Sequence, residues 1–426
     1  MCHDTLKHNN WSRRGFLKGS GMALFGLTLG GLPSFVARAA EQVKEQPLFK
    51  RKKTLVTIFQ RGAMDGLAAV QPLGNSFLQT SRPDIYFPYS GNGEKIIALN
   101  DDYGLNPYLE PLKKLWDDGQ MNIVHGMGIP LENRSHFDMQ DFMESGTPGK
   151  KATKTGWLNR AMQTDLKNND TSPFRAVAMS PTRPRILYGE QSSITVEKLE
   201  DLRFSTTADK RESVITDEEL NGIGQKYSQV RDERLKNAGK NGLEAIKILK
   251  RIELKTDATV AYPKSTLGNS LRQIAQLIKA GVGLEIAFAE STGWDTHSRQ
   301  ATRLGGFARQ ARDLSASIAA FWEDISNYKD DVVVVTMTEF GRTTRQNGST
   351  GTDHGRGSCQ FIIGNEVASN QIFHKLDTIN EETCDRELPV TTDFRDVMST
   401  VLSHHLGLDN NSIFPNWRST QLPIFA

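Results

Sequence analysis

VVVVTMTEFGR, residues 332–342, joins four valines to an abrupt run of polar and charged side chains. Val332 to Thr336 is apolar and β-branched without a break, the composition of a strand covered on both faces rather than one. Four other stretches read the same way: Thr54–Phe59, Met121–His125, Leu284–Phe288 and Gln360–Gly364. Helical patterns lie between them, over Pro107–Asp118 and Arg303–Tyr328. From about residue 192 to about 256 the chain is charged and helical in pattern, and reads as a helical insertion or cap. Alternating strands and helices predict an α/β sandwich around a mostly parallel central sheet. No internal repeat is evident.

Ahead of the first strand, Ser12-Arg13-Arg14-Gly-Phe16-Leu17-Lys18 precedes a glycine-rich apolar run and Ala37-Arg38-Ala39. A basic region, an apolar region and a small-x-small site in that order predict a signal peptide over residues 1–39. The arginine pair narrows it to the twin-arginine route. Residues 40–426 then form one α/β domain, with the twin-arginine translocase as its partner during export. The expected location is periplasmic or extracellular, and no later stretch is long and apolar enough to span a membrane. A net charge of +2 does not favour nucleic acid. Of three cysteines, Cys2 leaves with the signal. Cys359 and Cys384 are either a disulfide of an oxidising compartment or two buried thiols.

In a parallel sheet, ligands collect beyond the carboxyl ends of the strands. The polar clusters fall there. Asp65 follows the first strand, Asp295 and His297 follow the strand near 288, and Glu339 and Arg342 follow Val332–Thr336. Asp353, His354 and Arg356 come shortly after, and Arg134, Ser135 and His136 follow the Met121 strand at a distance. Asp295 and His297, at i and i+2 of an extended segment, point the same way and can grip one cation. Asp353-His354 has the same composition between glycines. His125 reads as a core histidine, and His404-His405 as part of a surface helix. Together the carboxylates and histidines suggest one shared site. Two divalent ions about 3.5–4 Å apart would suit in-line displacement at an ester. Ser135 is the candidate nucleophile, and Arg134 the candidate oxyanion holder. Ser135 also reads as a helix N-cap.

The stretches "RGAMDGL", "NRSHFDMQDFMESGTPG", "TGWLNRA", "WDTHSRQ", "TEFGRTTRQNGSTGTDHGRGS" and "TTDFRDVMSTVLSHHLG" resemble the bacterial domain of unknown function 1501 family over nearly the whole of residues 40–426. That family is similar, more distantly, to the superfamily of alkaline phosphatases, arylsulfatases and cofactor-independent phosphoglycerate mutases. The resemblance implies an alkaline-phosphatase-like αβα sandwich and a two-metal site. It assigns Asp65, Glu339 and Ser135 to one ion and Asp295, His297 and His354 to the other. Arg342 and Arg356 become candidate anion binders. The chain departs from the pattern at Phe340, where the superfamily carries a metal-binding histidine, and in the spacing of Asp295 and His297. His136 and Asp353 are candidate additional ligands.

Two functions follow. The first is an exported hydrolase of phosphate or sulfate esters, using one or two divalent ions (zinc, manganese, magnesium or calcium) and acting on a small anionic ester or a sugar-linked substrate. The second is a non-catalytic exported binding or assembly protein on the same fold.

Overall fold

The computed structural model describes residues 49, 51–164, 172–202, 216–255, 257–300, 303–376, 378–409 and 412–426. The expected signal peptide lies outside the described residues. Twelve strands are described: β1 (Thr54–Arg61), β2 (Val70–Pro72), β3 (Ile97–Ala98), β4 (Tyr103–Leu105), β5 (Met121–Gly128), β6 (Ala176–Met179), β7 (Ile194–Val196), β8 (Ile286–Thr292), β9 (Val332–Met337), β10 (Ser358–Ile363), β11 (Ile372–Phe373) and β12 (Thr392–Asp393). Nine form the central sheet in the order β11-β5-β10-β9-β1-β8-β6-β7, with β12 also on β5. All its pairings are parallel except those of β10 with β5 and β9. A small antiparallel sheet, β2-β4-β3, sits beside it.

The uninterrupted apolar runs have the expected cause. In β9, Val332 and Val334 face one core, while Val333, Val335 and Met337 face another. In β1, Val56 and Ile58 separate in the same way from Leu55 and Phe59. Helices Pro111–Asp117, Thr266–Lys279 and Gly306–Asp324 cover the first face; helices His136–Ser145, Trp157–Thr164 and Phe394–Leu406 cover the second. The result is a mixed α/β, three-layer arrangement with a mostly parallel sheet. Because β10 runs antiparallel to β9, the segment 338–357 between them stays at the carboxyl edge of β1, β8 and β9.

Several boundaries move. The strand expected from Leu284 begins at Ile286, and the helix expected from Arg303 begins at Gly306. The start of the helical insertion is corrected: Ile194–Val196 is an edge strand of the central sheet, paired with β6. The helices follow at Asp217–Ser228 and Glu233–Arg251 and pack together through Leu220, Tyr227, Leu243 and Ile246. Cys359 and Cys384 are both free and buried, which corrects the disulfide alternative. Cys359 belongs to the main core, whereas Cys384 packs with Leu67, Leu78, Ile379 and Leu388. Burial pushes both thiols up, away from the reactive thiolate. Among the described residues no helix is long and apolar enough to cross a membrane.

The helix carrying His404-His405 is not a surface helix. Its residues from Phe394 to Leu402 are buried, and so is His405, whose Nε2 lies 3.1 Å from the Thr54 carbonyl oxygen. His125 is a core histidine, with Nε2 donating to the Val70 carbonyl (2.8 Å) and Nδ1 accepting from the Gly126 N–H (3.0 Å). Burial lowers each imidazole to about 4. The unfolded chain therefore binds more protons than the folded one between about pH 6.5 and about pH 4, and stability falls as pH falls through that window. At pH 5 the loss is about 2 kcal/mol for each histidine. Urea unfolding at pH 7 and pH 5 should show it, and His405→Gln should flatten the pH dependence by about half.

Candidate metal centre

Four loops at the carboxyl edge build the site. β8 ends at Thr292, and its continuation carries Asp295 and His297. The end of β1 must pass close behind it. Gly62 (φ +114°) permits this, since a Cβ there would stand 2.5 Å from the Asp295 backbone nitrogen. β9 delivers Glu339. Two residues on, Gly341 lies so near Gly357 that a Cβ would meet the Gly357 carbonyl oxygen at 1.8 Å. That approach brings Arg342 into a backbone bridge with His354. His136 is the first residue of helix His136–Ser145, whose N-cap is Ser135.

Three imidazoles converge. His354 Nε2 lies 3.0 Å from His136 Nε2, 2.9 Å from His297 Nε2 and 3.2 Å from Asp295 Oδ1. His297 Nε2 lies 3.0 Å from Asp295 Oδ1, and His136 Nε2 lies 3.5 Å from Asp295 Oδ2. On the far side of each ring, Nδ1 meets a group that can only accept: Glu339 Oε1 at 2.7 Å for His136, Asp353 Oδ1 at 2.9 Å for His297, and the Arg134 carbonyl oxygen at 2.9 Å for His354. Each Nδ1 therefore carries the hydrogen, and the Nε2 lone pairs of His136 and His297 both face that of His354. Lone pairs at these separations repel unless a proton or a cation lies among them. A tetrahedral ion with bonds of about 2.0–2.1 Å sets its ligand atoms about 3.3 Å apart. His136, Asp295 and His354 bring their ligand atoms within 4.8 Å of one another and so can hold a cation, and His297 stands beside His354 and Asp295. An acceptor behind each ligating imidazole is the usual support of such a site.

The charges agree. Burial pushes the Glu339 carboxyl up, but hydrogen bonds from His136, Gln140 Nε2 (3.0 Å) and the Gly62 N–H (2.9 Å) outweigh it, and its pKa lies below the usual carboxylate value. Asp295 is likewise pulled low against its own burial, by the buried Arg342 guanidinium at 2.6 Å. Hydrogen bonding from His297 lowers Asp353. Burial, with His136 beside it, lowers His354 toward the neutral form a cation requires. The Glu339 contact raises His136, so protons compete with a cation there as pH falls. The rings of His136 and His354 also pack on Phe340, with centroids 4.9 and 5.0 Å away.

Asp295, His297, His354 and His136 are thus brought together. The other expected residues stand elsewhere. Asp65 is corrected from ligand to structural anchor: it is buried, caps the helix Gly66–Ala69, pairs with Arg82 at 3.2 Å and accepts from Gln300 Nε2 at 2.6 Å. Glu339 and Asp353 stand behind His136 and His297, not among the converging atoms. Arg342 holds Asp295 and Thr352 rather than an external anion. Arg134 and Arg356 both close on Glu387, at 2.7 and 2.8 Å, and so share the chain's own carboxylate. The Ser135 hydroxyl accepts from the Asp138 N–H at 3.5 Å, an N-cap contact. Arg82 and Glu387 escape sequence reasoning because neither lies in a recognisable cluster, and Gln140 and Gln300, though inside the quoted stretches, are not of a residue type that marks a cation site.

Fold and site together define a mixed α/β protein with a histidine-rich candidate cation site at the carboxyl edge of its sheet. The chain belongs to the family described as "Protein of unknown function (DUF1501)", which matches residues 121–424. No curated protein matches it. Among solved structures it is similar to a protein of the alkaline phosphatase superfamily from Vibrio parahaemolyticus (12% identity, TM-score 0.37, covering 86% of this chain and 69% of that one). It is also similar to the lipoteichoic acid synthase LtaP from Listeria monocytogenes (9%, 0.35, 87% and 76%). A third is alkaline phosphatase from the Antarctic bacterium TAB5 (9%, 0.33, 76% and 95%).

Proposed function

We propose that the protein is an exported metal-dependent hydrolase of phosphate or sulfate esters. The observation that carries the reading is the convergence of three imidazole Nε2 atoms on Asp295, each ring pinned at Nδ1 by an acceptor. His136, His297, His354 and Asp295 hold the cation. A bound divalent ion supplies Lewis-acid polarisation of an ester oxygen. Glu339 and Asp353 keep their imidazoles in one tautomer, and Arg342 fixes the Asp295 carboxylate. Ser135, next to His136 at a helix N-terminus, lies where an anionic ester is attracted, and is the residue available for attack. Export by the twin-arginine translocase rests on Arg13-Arg14 and the apolar run behind them. It suits a site that assembles only in the folded chain.

The closure of Arg134 and Arg356 on Glu387 favours a second reading, a non-catalytic exported binding or assembly protein, because it engages the expected oxyanion holder, Arg134, and the candidate anion binder Arg356. Aryl phosphate and aryl sulfate panels separate the two. The hydrolase reading expects turnover that falls at least about 100-fold on chelation or in His354→Ala. Metal bound without turnover of either ester class would support the binding protein.

A further inference from the structure

We infer that the centre takes one ion rather than two, that the ion is a zinc-class transition metal rather than magnesium or calcium, and that Glu339 and Asp353 are positioning residues acting through His136 and His297. This rests on the cation reading above and deepens it.

The case against a second ion is made by residues already engaged. The resemblance implies a second ion on Asp65, Glu339 and Ser135. Both Asp65 oxygens face Arg82 Nη1 at 3.2 Å, and Oδ1 also takes the Ala68 N–H while Oδ2 takes Gln300. Arg82 is itself buried and held by the carbonyl oxygens of Thr343 (2.6 Å) and Thr344 (2.8 Å), so a fixed guanidinium supplies the positive charge an ion would bring to Asp65. Glu339 Oε1 receives three donors, from His136, Gln140 and Gly62, and Oε2 lies 3.3 Å from the Thr338 hydroxyl. Phe340 packs on the rings of His136 and His354 and offers no donor atom there.

The case for the metal class is made by the donors. Magnesium and calcium demand oxygen ligands, six or more in number. The atoms that can share one ion are two imidazole nitrogens and one carboxylate, from His136, His354 and Asp295, with the His297 imidazole next to them, a nitrogen-rich set suited to zinc and its first-row neighbours. The chain also supplies what such imidazoles need behind them.

The test is a cobalt(II) titration of the purified, chelator-stripped protein, read by the visible absorption of bound cobalt and by elemental analysis after desalting. The expected result is saturation at one equivalent, undisturbed by excess magnesium or calcium and competed by zinc. Glu339→Gln and Asp353→Asn should still take one equivalent, with affinity about 10–100-fold weaker. Asp65→Asn should bind as wild type does. Saturation at two equivalents, loss of one of two ions in Glu339→Gln, or displacement by stoichiometric magnesium or calcium would overturn the inference and leave the hydrolase reading standing. One tightly bound ion with no ester turnover would overturn the hydrolase reading and leave the inference. No cobalt bound at all would overturn both.

Discussion

In His354→Ala the metal that remains after desalting is expected to drop from about one equivalent to less than about a tenth of that. His354 is the hub of the cluster, with its Nε2 within 2.9–3.2 Å of His136, His297 and Asp295. Losing an acceptor behind a ligating histidine typically costs 10–100-fold in metal affinity, so losing the ligand itself costs more. The fold should survive. His354 lies on a half-buried loop at the sheet edge, and its one contact behind the ring is the Arg134 carbonyl oxygen. Elemental analysis with far-ultraviolet circular dichroism on the same samples checks both statements. Asp65→Asn is the control: were Asp65 a ligand, its metal would fall as well.

Arg82→Ala carries the largest expected loss of stability, about 3–5 kcal/mol. The Asp65–Arg82 pair is almost wholly buried, with both side chains 1% exposed. Truncating Arg82 strands an ionised carboxylate in a low-dielectric interior, and it frees the carbonyls of Thr343 and Thr344 from their donor. Pairing Arg82→Met with Asp65→Asn removes both charges together, and should recover more than half of the loss. Urea midpoints of Arg82→Met, Asp65→Asn and the double variant give the coupling directly. An Arg82→Ala midpoint within error of wild type would contradict this account of Asp65.

How far the sequence carries can be judged at particular residues. The strands were legible because β1 and β9 are covered on both faces, which writes itself as unbroken apolar runs such as Val332–Thr336. The direction of β10 was not legible, since Gln360–Gly364 has the same composition whichever way it runs. The edge strand Ile194–Val196 was hidden by its shortness and by the charged helices after it. At the site, Asp295, His297 and His354 were marked by their place beyond strand ends, and His136 stood in the same Asn-Arg-Ser-His stretch as the candidate nucleophile. What spacing does not encode is which acidic residue touches a cation and which touches the imidazole that does. Glu339 and Asp353 belong to the second kind. Asp65 was misplaced for a further reason: its partner Arg82 lies seventeen positions on, in a stretch with no motif to announce a buried cation.

Anomalous X-ray scattering from a crystal of the zinc-loaded protein, collected above and below the zinc edge, tests the central claim most directly. The account predicts one peak, bounded by Nε2 of His136, His297 and His354 and the carboxylate of Asp295. A peak beside Asp65 and Ser135, or direct contact of the ion with Glu339, would contradict it, and so would the absence of any peak from a fully loaded crystal.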